Sequence, residues 1–369
     1  MRAVAGDLVT IDDAFDEMMS FCLQCRACEV ACPSLVPFGR AMEGARAELT
    51  AQRSDRGRRL RHALLGRLVT SPGLLRLSTG SLGFARQTGA IRLLPEALKS
   101  ALAGMRQAPH RSPTVRGTVH LAHGKQVGTV ALLAGCVMDV WFSGVHEATI
   151  ELLTRAGYRV VAPLQQTCCG ALAAHDGDSR RARRLAARNV RALQSVDLVV
   201  GDAAGCSAHL KEYGEWAGDA GAILAGRARD VTEVIAGAIE DGRLPKLSIN
   251  RGAVAVQDPC HLRHAQRIIE APRVIVSAAG YQPLDLADDQ CCGAAGLYSM
   301  LNPETARALG ENKAAQIRLV GSTVVASANP GCEMQVRAHL ENWYRVAHPV
   351  ELYWEAIREK ELRSREKPE

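Results

Sequence analysis

The chain has 369 residues, 47% apolar and 23% charged. That is the balance of a globular protein of two or three domains, which excludes a disordered chain, a fibre and a small disulfide-stapled scaffold. Its net charge of +6 is uneven: residues 51–129 hold 14 Lys/Arg against Asp55 and Glu96, a local +12 that leaves −6 for the rest. Uncharged runs such as 319–332 fall short of the roughly 18 residues of a spanning helix, and the N-terminus lacks a signal peptide's basic start and apolar run. The expectation is a soluble, cytoplasmic protein. Twelve cysteines in a reducing compartment point to metal or redox chemistry rather than disulfides.

In chain order, residues 1–52 come first. Stretches 12–20 and 42–52 read as helices around CLQCRACEVACP, in which Cys22, Cys25, Cys28 and Cys32 are followed by Pro33. This is the bacterial ferredoxin spacing for a 4Fe-4S cluster: closely spaced thiolates on a turning loop can each face a different iron. A structural zinc site is the alternative. The helical flanks favour an α-helical ferredoxin-like domain.

Residues 53–126 form the basic stretch, expected as a helical connector. Arg58, Arg59, Arg61 and Arg67 alternate with Leu60, Leu64, Leu65 and Leu68. Such an amphipathic stripe packs on its own protein or a partner subunit, with peripheral membrane contact as the lesser reading. Few aromatics and no reader motif argue against nucleic acid.

The remaining eight cysteines repeat. Cys136, Cys168, Cys169 and Cys206 are followed by Cys260, Cys291, Cys292 and Cys332 at offsets of 123 to 126, with a CCG triplet central to each set. VALLAGC aligns with VAVQDPC, QQTCCGALA with DDQCCGAAG, and DLVVGDAAGC with TVVASANPGC, an internal duplication. The first copy, 127–245, predicts strands at 127–133, 158–162 and 198–201 and helices at 146–156 and 179–193. The second, 246–357, predicts strands at 254–256, 281–286 and 323–326 and helices at 273–279 and 303–320. Each is a parallel α/β lobe, and the cysteines lie just beyond strand C-termini, where such sheets bind ligands. Gly135, Gly170, Gly205, Gly293 and Gly331 allow close backbone approach to a bulky cofactor. Adjacent cysteines are awkward for one tetrahedral zinc and natural for a cofactor offering several irons. Further iron–sulfur clusters are therefore favoured here over zinc or a redox-active or structural thiol set. His209 and His261 read as packing or capping residues, and Asp139 and Asp258 as loop-fixing acceptors. Residues 358–369 read as a charged, frayed tail.

CLQCRACEVACP, the two CCG lobes, AAGCSAHLKEYG and NPGCEMQVRAHL together resemble the glycolate oxidase iron–sulfur subunit family over nearly the whole chain. The lobes are also similar to heterodisulfide reductase and lactate-utilisation iron–sulfur proteins. The resemblance implies an electron-transfer subunit served by an FAD-containing dehydrogenase subunit that oxidises a 2-hydroxy acid, and delivering electrons to a quinone or other acceptor. No substrate site and no catalytic residue are visible on this chain, and no GxGxxG or Walker sequence marks a flavin or nucleotide site. Peripheral placement at the inner face of the membrane is the accompanying expectation.

Two departures stand out. Where heterodisulfide-reductase lobes end in CxxC, this chain reads CSAH and CEMQ, which argues against a five-thiolate cluster and disulfide reduction. The alternatives kept are a thiol-disulfide reductase subunit and a zinc-held scaffold. Family members also carry two ferredoxin motifs, so Met1 is expected not to be the natural start and a further motif to precede it. In two-cluster ferredoxins the fourth cysteine serves the other cluster. Cys32 is then expected to point toward a site whose remaining ligands are missing, while Cys22, Cys25 and Cys28 lack their fourth.

Overall fold

The computed structural model describes residues 10–53, 70–87 and 114–365, with positions 1, 57, 60, 62, 67, 68 and 104. Among these residues nine strands form two sheets. In the first, β1 (Thr118–His120), β2 (Gly128–Leu133), β3 (Tyr158–Ala162), β4 (Leu198–Gly201) and β5 (Ala228–Asp230) run in the order β1-β3-β2-β4-β5. All neighbours are parallel except β1, which is antiparallel to β3. In the second, β6 (Ala253–Gln257), β7 (Gln282–Asp285), β8 (Val324–Ser327) and β9 (Arg345–Ala347) are all parallel, in the order β7-β6-β8-β9.

Leaving β1 aside, both lobes share the strand order second, first, third, fourth. The chain therefore reverses its winding between the first and third strands, β2/β4 and β6/β8, and opens a crevice at their C-terminal ends. The duplicated α/β architecture matches the sequence reading. Helices Ser179–Leu193 and Pro303–Val320 and strands Tyr158–Ala162 and Leu198–Gly201 fall on their expected bounds.

Two differences have physical causes. The basic stretch 53–126 is not helical to its end, because Thr118–His120 pairs with the edge of the first sheet. Arg58, Arg59, Arg61, Leu64 and Leu65 lie outside the described residues. The expected frayed tail from Arg358 instead continues helix Pro349–Arg365, held by Arg155 on Glu361 at 2.6 Å and by Arg251 on Glu359.

The two lobes share one core. Leu132, Leu152, Ile235, Val254, Ile275 and Tyr353 belong to a single buried cluster. Helix Pro349–Arg365, from the second copy, packs on helix Ser143–Arg155 of the first. No helix among the described residues is long and apolar enough to cross a membrane. Leu132 is fully buried in β2, so Leu132→Ala is expected to cost about 2–5 kcal/mol. Leu319→Ala, at an 85% exposed position, should change stability by less than about 0.5 kcal/mol. Urea denaturation of the two variants checks the contrast.

Candidate functional site

Cys136 follows β2, the Cys168–Cys169 pair follows β3, and Cys206 lies in helix Ala204–Lys211 just beyond β4. The structure brings all four together. Cys136 Sγ donates to Cys168 Sγ at 3.4 Å, and the contacts continue through Cys169 to Cys206. The second lobe repeats the sequence of contacts from Cys260 through Cys291 and Cys292 to Cys332. The Cys136 thiol is pushed well up by its hydrogen bond to Cys168 and then by burial, and Cys260 likewise by Cys291 and burial. Ionising these thiols side by side is costly unless a cation joins them.

The loops are fixed by groups that are not cysteines. Gly170 and Gly293 have φ of +106° and +87°, so the chain can turn sharply straight after each cysteine pair. A Cβ on Gly293 would stand 2.7 Å from the Ala306 carbonyl oxygen. Arg116 donates to the Gly135 and Gln166 carbonyls and reaches Asp139 at 3.2 Å. Asp139, buried, also accepts from Thr114 at 2.8 Å, and Asp258 accepts from Arg263 and Arg273. Both aspartates are loop-fixing acceptors, as expected.

His146 was not singled out in the sequence. Its Nδ1 meets Asp202 Oδ2 at 2.6 Å and its Nε2 meets the Ala134 carbonyl at 3.0 Å. It ties the loop before Cys136 to the loop before Cys206. Its sequence signal was weak: it shares a buried helix face with Thr149, whose hydroxyl donates to the same Asp202 oxygen at 3.5 Å.

The two lobes meet at their cysteine loops. The Ala204 N–H donates to the Ala328 carbonyl at 3.0 Å. Asn329 Oδ1 accepts from the Gly205 N–H at 3.2 Å, while its Nδ2 donates to Cys332 Sγ at 3.4 Å. The electrostatics of the copies differ. Lys313, buried in the second lobe, lowers the cost of ionising Cys260. Its counterpart Asn189 is a neutral amide bonded to the Cys168 carbonyl and to Tyr213.

The N-terminal motif adjoins the second lobe. Cys22, Cys25 and Cys28 act on one another, and Cys260 raises Cys25 after burial and Ala27's amide have had their larger effects. Cys32 stands apart, its pKa lowered by backbone N–H groups of Val36, Ser34 and Leu35. Gln24, Arg26 and Leu35 adopt left-handed φ of 50° to 64°, an uncommon state for residues with side chains that marks a tightly wound loop. Arg46 holds that loop, donating to the carbonyls of Cys22 at 2.6 Å and His175 at 2.7 Å.

Between this motif and the lobes lies a polar cavity of about 10 Å³, lined among others by Gln24, Glu43, His175, His209 and His261. Burial raises Glu43 to about 8, and lowers His209 to about 3 and His261 to about 4, keeping all three neutral over a wide range. His261 packs on His175, ring centroids 5.2 Å apart, so it has the packing role expected of it. His209 does not cap, and its ring nitrogens are unbonded.

The donor set fits iron–sulfur clusters. In each lobe four thiols lie in successive contact, two of them adjacent in the chain. A group of four thiols including an adjacent pair suits a cofactor that offers several irons.

These features define an iron–sulfur protein built on a duplicated cysteine-rich domain. The family model for the CCG cysteine-rich domain matches residues 130–211 and 254–337. A probable glycolate oxidase iron–sulfur subunit of Bacillus subtilis (strain 168) is 30% identical, covering 96% of this chain and 86% of the relative. The glycolate oxidase iron–sulfur subunit of Escherichia coli (strain K12) is 30% identical, covering 94% and 84%. A lactate utilization protein A of Oceanobacillus iheyensis is 28% identical over 56% of this chain. The chain belongs to the glycolate oxidase iron–sulfur subunit family.

The His146–Asp202 pair generates a pH test. Burial alone lowers the His146 pKa, and the Asp202 carboxylate overcomes it, so the folded value lies above the ordinary 6.5. A raised folded pKa gives stability that is complete below the unfolded value and is lost as pH rises through the folded one. Asp202→Asn should therefore cost about 1–3 kcal/mol at pH 6 and less above neutrality. Urea denaturation at both pH values measures this.

Proposed function

We infer that this chain is the iron–sulfur electron-transfer subunit of a complex that oxidises a 2-hydroxy acid. The observation that carries the reading is one group of four thiols built twice, at the same place on two like-wound sheets, beside a ferredoxin-type triad packed on the Cys260 turn. When bound, the clusters supply one-electron carriers.

The chain's own residues hold and insulate them. Cys22, Cys25 and Cys28 serve the N-terminal 4Fe-4S cluster, and Cys32 belongs to the same motif. Cys136, Cys168, Cys169 and Cys206 serve the first lobe, and Cys260, Cys291, Cys292 and Cys332 the second. Six of the eight lobe thiols are buried and Cys206 and Cys291 are half-buried, which limits solvent reorganisation when charge arrives. Arg116 and Lys313 place positive charge beside Cys136 and Cys260.

In this reading a flavoprotein subunit performs the oxidation and donates the electrons. Onward transfer goes to a quinone or another acceptor, and the basic stretch 53–126 docks on its own protein or a partner subunit, with a membrane surface as the lesser reading. The segments 1–52, 53–126, 127–245, 246–357 and 358–369 keep their separate roles in this reading.

Two measurements test it. Replacing Cys168 and Cys169, or Cys291 and Cys292, by serine should lower iron and sulfide content and destabilise the protein, because cofactor binding supplies folding free energy. Unchanged iron in both double variants would refute lobe ligation. The native protein should also co-purify with a flavoprotein and become bleached in its visible spectrum when a 2-hydroxy acid is added. Turnover of a disulfide by the isolated chain would instead support a reductase.

A further inference from the structure

His209 is buried, and neither of its ring nitrogens has a hydrogen-bond partner. Leaving such a group unsatisfied is costly. It sits in helix Ala204–Lys211 three residues after Cys206, so the two side chains share one face of the helix. Tyr213 meets the ring edge-on at 5.6 Å between centroids and Trp216 packs at 5.4 Å, which fixes its orientation. Its Nε2 lies against the turn that follows Cys169: a Cβ on Gly170 would stand 3.2 Å from it. A neutral imidazole has one nitrogen with a free lone pair.

The internal duplication supplies the comparison. Position 209 corresponds to Gln335, and Ala182 to Ala306. Gln335 Nε2 donates at 2.7 Å to the Ala306 carbonyl, the group that backs Gly293. The matching Ala182 carbonyl stands behind Gly170, 3.5 Å from its notional Cβ, yet His209 makes no bond to it. The position is structural in one lobe and carries an unused nitrogen donor in the other. The adjoining cavity of about 10 Å³ holds at most about one water. That water can satisfy one ring nitrogen and leaves the second.

We propose that His209 is a nitrogen ligand to the iron–sulfur cofactor of the first lobe, joining Cys136, Cys168, Cys169 and Cys206 in a five-donor set. The second lobe, with Gln335 at this position, has four. The inference rests on the reading that the lobes bind iron–sulfur clusters. A neutral imidazole in place of a thiolate raises the reduction potential of the centre it ligates.

The test uses the full-length protein, purified anaerobically with its partner and carrying ¹⁵N-histidine. Pulsed EPR of the oxidised and reduced forms should show a histidine nitrogen strongly coupled to a cluster, with the isotope changing the pattern. The coupling should vanish in His209→Cys, which should keep its iron and lower the potential of one cluster in an optical redox titration. Gln335→Ala should alter neither readout. Absence of any coupled histidine nitrogen, a coupling that persists in His209→Cys, or unchanged potentials in that variant would overturn the proposal. Should substitution at 209 prevent folding, the labelled wild-type protein still decides. Failure of the underlying reading looks different: the Cys168/Cys169 double variant would then retain all its iron.

Discussion

Eight thiols gathered in two groups of four, six of them buried and Cys206 and Cys291 half-buried, are the constraint around which this molecule is organised. As neutral thiols they are tolerable, but as ligands they must lose their protons, and four adjacent negative charges in a low-dielectric pocket repel one another strongly. The fold answers with positive ends. Cys136 and Cys332 lie at or within the first turns of helices, Cys206 lies early in another, and Arg116 and Lys313 stand beside their lobes' first thiols. None of these terms alone balances four such charges.

Placement follows from winding. Both sheets reverse direction between their first and third strands, and the cysteine loops emerge on either side of that reversal. The buried shared core then brings the two reversals face to face, so that Ala204 and Ala328 are hydrogen-bonded. The N-terminal loop completes the group by packing its triad on the Cys260 turn. Three thiol sites thus gather around one polar cavity, whose histidines and Glu43 are kept uncharged by burial.

Much of this was legible in the chain. The 3.6-residue pattern of 179–193 and 303–320 and the β-branched runs at 158–162 and 198–201 are strong local signals, and the duplicated cysteines fixed where the loops had to meet. β1 was not legible, because a three-residue edge strand is specified by its partner β3 rather than by its own sequence. The short strands β5 and β9 share that difficulty. His146, Arg116 and Asn329 act through contacts with residues distant in sequence, so only the folded chain reveals them. The tail was misread for a related reason: its charges look solvated until Arg155 and Arg251 are found opposite Glu361 and Glu359.

The meeting of the cysteine loops resembles the interface of a homodimer whose subunits have been joined end to end. In a true homodimer every residue near the axis must suit both partners, because one gene supplies both sides. Fusion removes that obligation. Asn329 bridges to the opposite lobe while its counterpart is Ala203, and Lys313 faces Asn189 across the duplication. One copy can therefore acquire a charge or a donor without forcing it on the other. Two pockets of common ancestry are free to drift toward different electron affinities while the scaffold between them stays shared.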